Sequence, residues 1–129
     1  MKYSELLELA KRSRKRAYAP YSGFSVGAAL LCNDGSVYLG CNVESASFTP
    51  TCCAERVAIF SAVADGKKDF SAIAVVGGKT DGSDGERCMP CGVCRQVMSE
   101  FSDGSLDVVL ADGSVLKLSE LLPHTFDLK

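Results

Sequence analysis

The stretch that decides the fold is residues 53–77, CAERVAIFSAVADGKKDFSAIAVVG. Residues 53–66 are predicted to form a helix that ends at the glycine stop signal Asp65-Gly66, and the apolar run 71–77 is predicted to form a buried strand. Upstream, the runs 24–31 and 36–43 have strand-like composition, and residues 32–35 between them contain the Asn, Asp and Gly of a hairpin turn. These two strands are therefore expected to pair antiparallel.

The second half of the chain repeats the alternation of strand and helix. A polar loop at 78–90 leads to Pro90 and a predicted helix at 91–101, and the strand-forming runs 107–111 and 115–118 flank the turn Asp112-Gly113. This order predicts right-handed crossovers with parallel pairing, and an antiparallel hairpin at one edge of the sheet. We expect an α/β protein with a single domain over residues 1–129.

Length and composition fit one globular domain without an obvious polymer partner. The chain has 129 residues, of which 47% are hydrophobic and 23% are charged, and its net charge is −2. That balance gives no electrostatic footprint for a nucleic-acid backbone. The basic run KRSRKR at 11–16 admits two interpretations, a nucleic-acid patch or the solvated face of an N-terminal helix, and we favour the second because apolar residues at helical spacing precede the run: Leu6, Leu7, Leu9 and Ala10.

Two further features concern location and assembly. No apolar run approaches membrane-spanning length and the N-terminus lacks a signal-peptide core, so we predict a cytoplasmic protein with no membrane partner. Residues 57–64, VAIFSAVA, carry no charge on any side. A helix of this kind needs apolar cover all round, which predicts an oligomer or, alternatively, a helix at the centre of one compact domain.

The seven cysteines indicate a metal site more than a disulfide framework, since their number is odd and several lie close together. Cys91 and Cys94 fall on one face at a helix start. Cys53 begins the other crossover helix, and both starts are expected at the carboxyl ends of strands, where ligand crevices form. Three thiolates can hold zinc and leave one coordination position open for water, as in a catalytic site.

The residues after Cys53 supply what such a site needs. Arg56 lies three residues on, on the same helical face, and can donate charge-assisted hydrogen bonds that offset the negative sulfurs. Glu55 borders the helix end and is predicted to move a proton without binding the metal. Each residue also has an ordinary interpretation, as a buried thiol, a surface arginine or a helix-N-terminal acid. A structural zinc or iron–sulfur module is a rival, because CMPCGVC at 88–94 resembles a ferredoxin run.

The pattern C-A-E followed by P-C-x-x-C resembles that of the zinc nucleoside and nucleobase deaminases. More closely, the chain resembles the small homotetrameric cytidine deaminases of the three-cysteine type in five motifs that occur in the family's order. These motifs are AYAPYSGFSVGAALL (17–31), GCNVESAS (40–47), CCAER (52–56), PCGVCRQV (90–97) and ELLPHTF (120–126).

The resemblance implies a three-layer α/β/α sandwich with a mixed five-stranded sheet and the zinc-dependent hydrolytic deamination of cytidine and deoxycytidine to uridine and deoxyuridine, for pyrimidine salvage. It implies a homotetramer with shared active sites and one zinc ion per subunit. A related deaminase of an aminonucleoside antibiotic is the nearest alternative. Carried over by position, the zinc ligands are Cys53, Cys91 and Cys94, and the general acid and base is Glu55. The substrate-binding residues are Phe24, Asn42, Glu44, Ala54 and Phe126.

Some positions depart from the family pattern. Phe48 stands where a tyrosine is usual, which puts a contact to the 5′ end of the sugar in doubt, and Met89 replaces a serine. The loop 78–90 is longer than is common and carries Cys88. We expect neither Cys88 nor Cys52 to bind zinc, because a fourth thiolate would close the site. His124 is read as incidental.

Overall fold

The computed structural model describes residues 1–80 and 85–128, so part of the predicted loop 78–90 lies outside the described residues. Helices and strands alternate along the chain in an order that matches the sequence prediction to within one or two residues at most ends. The elements are α1 (Tyr3–Arg14), β1 (Phe24–Cys32), β2 (Val37–Cys41), α2 (Ala54–Ala64), β3 (Phe70–Lys79), α3 (Gly92–Phe101), β4 (Asp107–Leu110), β5 (Val115–Lys117) and α4 (Leu118–Leu121).

The five strands form one mixed sheet in the order β2-β1-β3-β4-β5, which confirms the predicted fold class. β1 pairs antiparallel with β2, as the hairpin prediction required, and also antiparallel with β3. Parallel pairing is confined to β3 and β4, and β5 returns antiparallel beside β4. The expectation of parallel neighbours around both crossover helices is therefore wrong for α2, because that helix carries the chain past β1.

Helices cover both faces of the sheet. α1 packs on one face, where Leu6, Leu7 and Ala10 meet the small side chains of β1 and β3. α2 and α3 pack on the other face, over Leu30, Ile73 and Val75 among others. Successive residues of β1 and β3 point alternately to the two clusters, as strand geometry requires. The result is a three-layer α/β/α sandwich.

The basic run at the end of α1 is only partly solvated. Arg12, Lys15 and Arg16 are exposed, as predicted, but Arg14 is buried. Its Nε donates to the carbonyl of Ser25 at 3.0 Å and its second terminal nitrogen donates to the carbonyl of Lys79 at 2.8 Å. Arg14 therefore fixes the helix against the edge of the sheet from which the loop after β3 departs.

The uncharged part of α2, residues 57–64, is not enclosed by its own chain. Ala54, Ala58, Ile59 and Ala62 are buried against the sheet, whereas the ring of Phe60 is 48% exposed. The alternative of a helix central to one compact domain does not fit this exposure, and the oligomer stays a prediction. Among the residues that the structure describes, no helix is long and apolar enough to cross a bilayer.

Candidate metal centre and active site

The two cysteines that precede α2 and α3 lie at the same edge of the sheet. β2 and β3 run in the same direction with β1 between them, so both helices start at this edge. Cys53 and Cys91 are the residues immediately before the helices, in extended conformations with φ of −70° and −71°. Neither side chain caps its helix, so both sulfurs are available to a ligand.

The three predicted metal-binding sulfurs converge. Cys53 Sγ lies 3.8 Å from Cys91 Sγ, and Cys91 Sγ lies 3.5 Å from Cys94 Sγ. All three are within 4.8 Å of one another. Tetrahedral zinc with bonds of about 2.3 Å separates its sulfurs by about 3.8 Å, so the residues present fit this metal. Among the described residues, this group includes neither Cys52 nor Cys88, and their exclusion from zinc binding stays a prediction.

The local charges favour a thiolate at Cys53. The pKa of this thiol is lowered from 9.0 to about 5, first by a hydrogen bond from Cys94 and then by Arg56, whose guanidinium donates to Cys53 Sγ at 3.4 Å. The pKa of Cys94 is raised in return, because its proton is shared with Cys53 and the side chain is buried. Arg56 thus lies where the sequence placed it, against the sulfur cluster.

Glu55 is a buried carboxyl beside the cluster. Its side chain belongs to the first turn of α2 and is 3% exposed. Burial, followed by the negative charge of Cys53, raises its pKa to about 7. A carboxyl with a pKa near neutrality can both accept and release a proton at ordinary pH.

Asn42 and Glu44 follow β2 and differ in burial and in hydrogen-bond partners. The Asn42 carboxamide is buried and bridges β1, since Oδ1 accepts from the Val26 N–H at 2.8 Å and Nδ2 donates to the Phe24 carbonyl at 2.9 Å. The Glu44 carboxylate accepts from the backbone N–H groups of Tyr21 and Ser22 at 3.0 and 3.1 Å. It also accepts from the Ser22 hydroxyl, which is the largest of the contacts that lower its pKa.

Glu44 borders a pocket of about 430 Å³. Phe48 is on the same pocket, 72% exposed, with a positive φ of 62°. Its ring packs edge-on against Tyr21, with the centroids 6.4 Å apart. The lining residues are Tyr21, Ser22, Glu44, Phe48 and Thr51.

The remaining predicted substrate residues lie in different surroundings. Phe24 begins β1, and its ring shares the space above Gly77 with Cys88: a Cβ on this glycine would lie 2.8 Å from Cys88 Cβ and 2.9 Å from the ring. Burial raises the pKa of the Cys88 thiol to about 11. Ala54, the first residue of α2, is fully buried. Phe126 is 66% exposed, and its carbonyl accepts from Gln96 Nε2.

Sequence reasoning did not select two residues that contact this region. Arg95 and Gln96 directly follow Cys94, and their side chains bind backbone carbonyls at Pro90, Leu121 and Phe126. Their position in PCGVCRQV, next to the metal cysteines, was the available signal. The pattern alone did not say which carbonyls they would reach.

The chain was compared with protein families and with solved structures. The model of the cytidine and deoxycytidylate deaminase zinc-binding region matches residues 1–110. The chain belongs to this family. It is 45% identical to a cytidine deaminase of Sporosarcina psychrophila over 130 residues, covering 98% of this chain and 92% of that relative. It is 47% identical to a cytidine deaminase of Halalkalibacterium halodurans over 126 residues, covering 94% and 91%.

The fold agrees with that of a solved family member. The chain superimposes on the 1.6 Å crystal structure of a cytidine deaminase from Burkholderia pseudomallei with a TM-score of 0.88, at 49% identity, covering 98% of this chain and 100% of that one. The family model describes a zinc-binding region, and the Cys53, Cys91 and Cys94 cluster has the spacing that zinc requires. Zinc is accordingly the cofactor of this chain.

Proposed function

We propose that this protein is a zinc-dependent cytidine deaminase that replaces the C4 amino group of cytidine or deoxycytidine by oxygen and releases ammonia, in cytoplasmic pyrimidine salvage. The observation that carries the proposal is the buried carboxyl of Glu55, with a pKa of about 7, beside three convergent cysteine sulfurs. Full-length similarity to cytidine deaminases supports it.

Cys53, Cys91 and Cys94 would hold the zinc ion and leave one coordination position to solvent. When bound, zinc would supply Lewis acidity that brings the pKa of a water molecule toward neutrality. Three thiolates carry more negative charge than the ion neutralises, which weakens that acidity. Arg56, at 3.4 Å from Cys53 Sγ, and the N-termini of α2 and α3 place positive charge against the sulfurs and offset the excess.

Glu55 moves the protons. Its carboxylate accepts a proton from the attacking water and delivers it to N3 of the pyrimidine, which makes C4 more electrophilic. Once the water oxygen has bonded to C4, the same carboxyl carries the remaining proton of that oxygen to the amine. The C4–N bond then breaks with release of ammonia as the oxygen on C4 becomes a carbonyl. Burial raises the pKa of Glu55 to about 7, which suits a carboxyl that must both accept and release a proton near neutral pH.

The groups around the metal are assigned to the nucleoside. The Glu44 carboxylate is held by its contacts with Tyr21 and Ser22 and lines the pocket that it shares with Phe48. It is a suitable acceptor for a ribose hydroxyl. Asn42 contributes through its remaining N–H. Phe24 provides an aromatic wall for the base, and the backbone N–H of Ala54 at the start of α2 donates to the pyrimidine carbonyl.

A homotetramer of single-domain subunits with shared sites completes the proposal. Phe48, Phe60 and Phe126 are each about half exposed or more: Phe48 lines the pocket beside Glu44, Phe60 belongs to α2, and the carbonyl of Phe126 accepts from Gln96 of α3. Exposed aromatic side chains of this size are typical of protein interfaces. Phe126 would reach the active site of a neighbouring subunit, and no nucleic acid is needed as substrate.

The test compares purified wild type with Glu55→Ala and Glu55→Gln. Each sample is assayed for zinc content and for the loss of ultraviolet absorbance that accompanies conversion of cytidine to uridine. Wild type is expected to turn over cytidine, and both variants are expected to retain zinc but to lose about 10²- to 10⁴-fold in kcat. Zinc in wild type without turnover of cytidine would contradict the proposal. A cytosine oligonucleotide is expected not to inhibit cytidine turnover if polymers are excluded from the site. Gel filtration is expected to give the mass of four subunits.

A further inference from the structure

Arg95 spans two parts of the chain that meet on α3. The residue directly follows Cys94 and is half-buried. Its Nε donates to the carbonyl of Pro90 at 2.8 Å, and its Nη1 donates to the carbonyl of Leu121 at 2.8 Å. Both acceptors belong to the backbone, so the planar guanidinium holds a fixed separation between the loop before α3 and the end of α4.

The bond to Pro90 acts on Cys91. Pro90 and Cys91 share one planar peptide group, so fixing the carbonyl of Pro90 also fixes the direction of the Cys91 N–H. Cys91 lies outside the regular helix and is the exposed member of the sulfur cluster, whereas Cys94 is buried within α3. Cys91 is therefore the sulfur whose position depends most on bonds made by other residues.

The bond to Leu121 acts on the C-terminal segment, residues 122–128. This segment leaves the end of α4 and returns along α3, where Gln96 Nε2 donates to the carbonyl of Phe126 at 2.9 Å. Arg95 and Gln96 thus fasten the start and the far end of the segment to the helix that carries Cys94. Of these two side chains, Arg95 also binds the carbonyl of Pro90, in the loop before α3.

We propose that Arg95 is a positioning residue: it holds Cys91 in the geometry of a metal ligand and fastens the C-terminal segment to the same helix. Metal retention and docking of the C-terminal segment then share one side chain. The inference rests on the proposed function in one respect, the role of Cys91 as a zinc ligand. Outer residues that orient metal ligands commonly change metal affinity or activity by about 10- to 100-fold when removed.

The experiment uses four variants of the zinc-loaded protein. Arg95→Met removes both hydrogen bonds, Arg95→Lys keeps one donor, Gln96→Ala removes only the far fastening, and Arg12→Met makes the same exchange as the first at an exposed arginine of α1. Zinc release to a chromogenic chelator is followed over time. The thiolate-to-metal absorption bands of the cobalt-substituted proteins report the ligand geometry. Hydrogen exchange of residues 122–128 reports docking of the segment, and thermal unfolding verifies the fold of each variant.

Arg95→Met is expected to release zinc about 10- to 100-fold faster than wild type, to shift the cobalt bands and to speed hydrogen exchange of the C-terminal segment. Arg95→Lys is expected to release zinc at a rate between those of wild type and Arg95→Met. Gln96→Ala should speed hydrogen exchange alone, and Arg12→Met should change nothing.

A folded Arg95→Met with the zinc release and cobalt bands of wild type would overturn the proposal. So would Gln96→Ala releasing zinc as fast as Arg95→Met, because docking of the segment would then hold the metal. If Arg95→Met does not fold, the comparison of Arg95→Lys with Gln96→Ala decides in the same way. Zinc retention without deamination of cytidine in wild type would refute the proposed function and leave these comparisons intact.

Discussion

The absence of a side chain at Gly40 lets α2 pack closely against the sheet. Gly40→Ala is predicted to displace the start of α2 and with it the residues of the metal site. A Cβ at this position would lie 2.2 Å from the carbonyl oxygen of Ala54 and 2.6 Å from the nitrogen of Ala58. Both atoms are backbone of the first turns of α2, so no flexible side chain can move aside. Since contacts under 3.0 Å are essentially never found, the helix start must shift by about 0.8 Å, the difference between 2.2 and 3.0 Å.

The shift displaces the residues that form the site. Cys53 precedes Ala54 and Glu55 follows it, so both move with this turn. Inserting a methyl group into a packed interior costs about 1–3 kcal/mol of stability. A misplacement of about 1 Å in a catalytic group costs about 10²-fold in rate. We therefore expect Gly40→Ala to lower the free energy of unfolding by about 1–3 kcal/mol and kcat by about 100-fold.

The assay measures urea unfolding, zinc content and cytidine turnover of the same preparations. Gly92→Ala is the matched control: it adds the same methyl group beside Cys91, but a Cβ there meets nothing within 4 Å. Stability and turnover of Gly92→Ala should stay near wild type. If Gly40→Ala loses stability but keeps the kcat of wild type, the coupling of β2 packing to the metal centre is refuted.

Three further predictions concern single contacts. Arg56→Gln should raise the pKa of Cys53, so alkylation of this thiol at pH 6 in metal-free protein becomes slower, as peptide mass spectrometry would measure. Asn42→Ala removes the acceptor of the Val26 N–H and a donor to the Phe24 carbonyl, and should cost about 1–3 kcal/mol in urea unfolding together with a higher KM for cytidine. The hydrogen bond to Asp107 raises the pKa of Tyr3 from 10.0 to about 12, so its stabilisation is full below pH 10 and is lost toward pH 12; Tyr3→Phe should remove that part of the pH dependence and leave kcat unchanged.

Much of the fold could be predicted because its signals are local. The helix stop at Asp65-Gly66 and the turn at residues 32–35 each depend on a few neighbouring residues. The structure ends α2 and β1 and begins β2 within one or two residues of these signals. Pairing between distant strands has no such signal. The interpretation of the crossovers assumed that β2 and β3 are neighbours, whereas β1 lies between them. The nearly continuous run of small and apolar residues on β1 does not say which strands it pairs with.

The site shows the same division. The spacing of Cys91 and Cys94 and the first turn after Cys53 predicted the convergence of the sulfurs, since both are properties of helix starts. The burial of Glu55 and the engagement of Asn42 with the backbone of β1 depend on tertiary packing and could not be read from the sequence. Arg95 was missed for a related reason, because a side chain that binds distant carbonyls leaves no pattern in its neighbours.

The convergence of Cys53 with Cys91 also has a consequence for chain entropy. The two residues are 38 positions apart, and a metal ion held by both would close the intervening loop. A cross-link that persists in the unfolded chain and closes a loop of this length removes about 4 kcal/mol of conformational entropy from that state. An ion that stays on both sulfurs during unfolding would thus stabilise the folded state by restricting the unfolded chain, in addition to its role in catalysis.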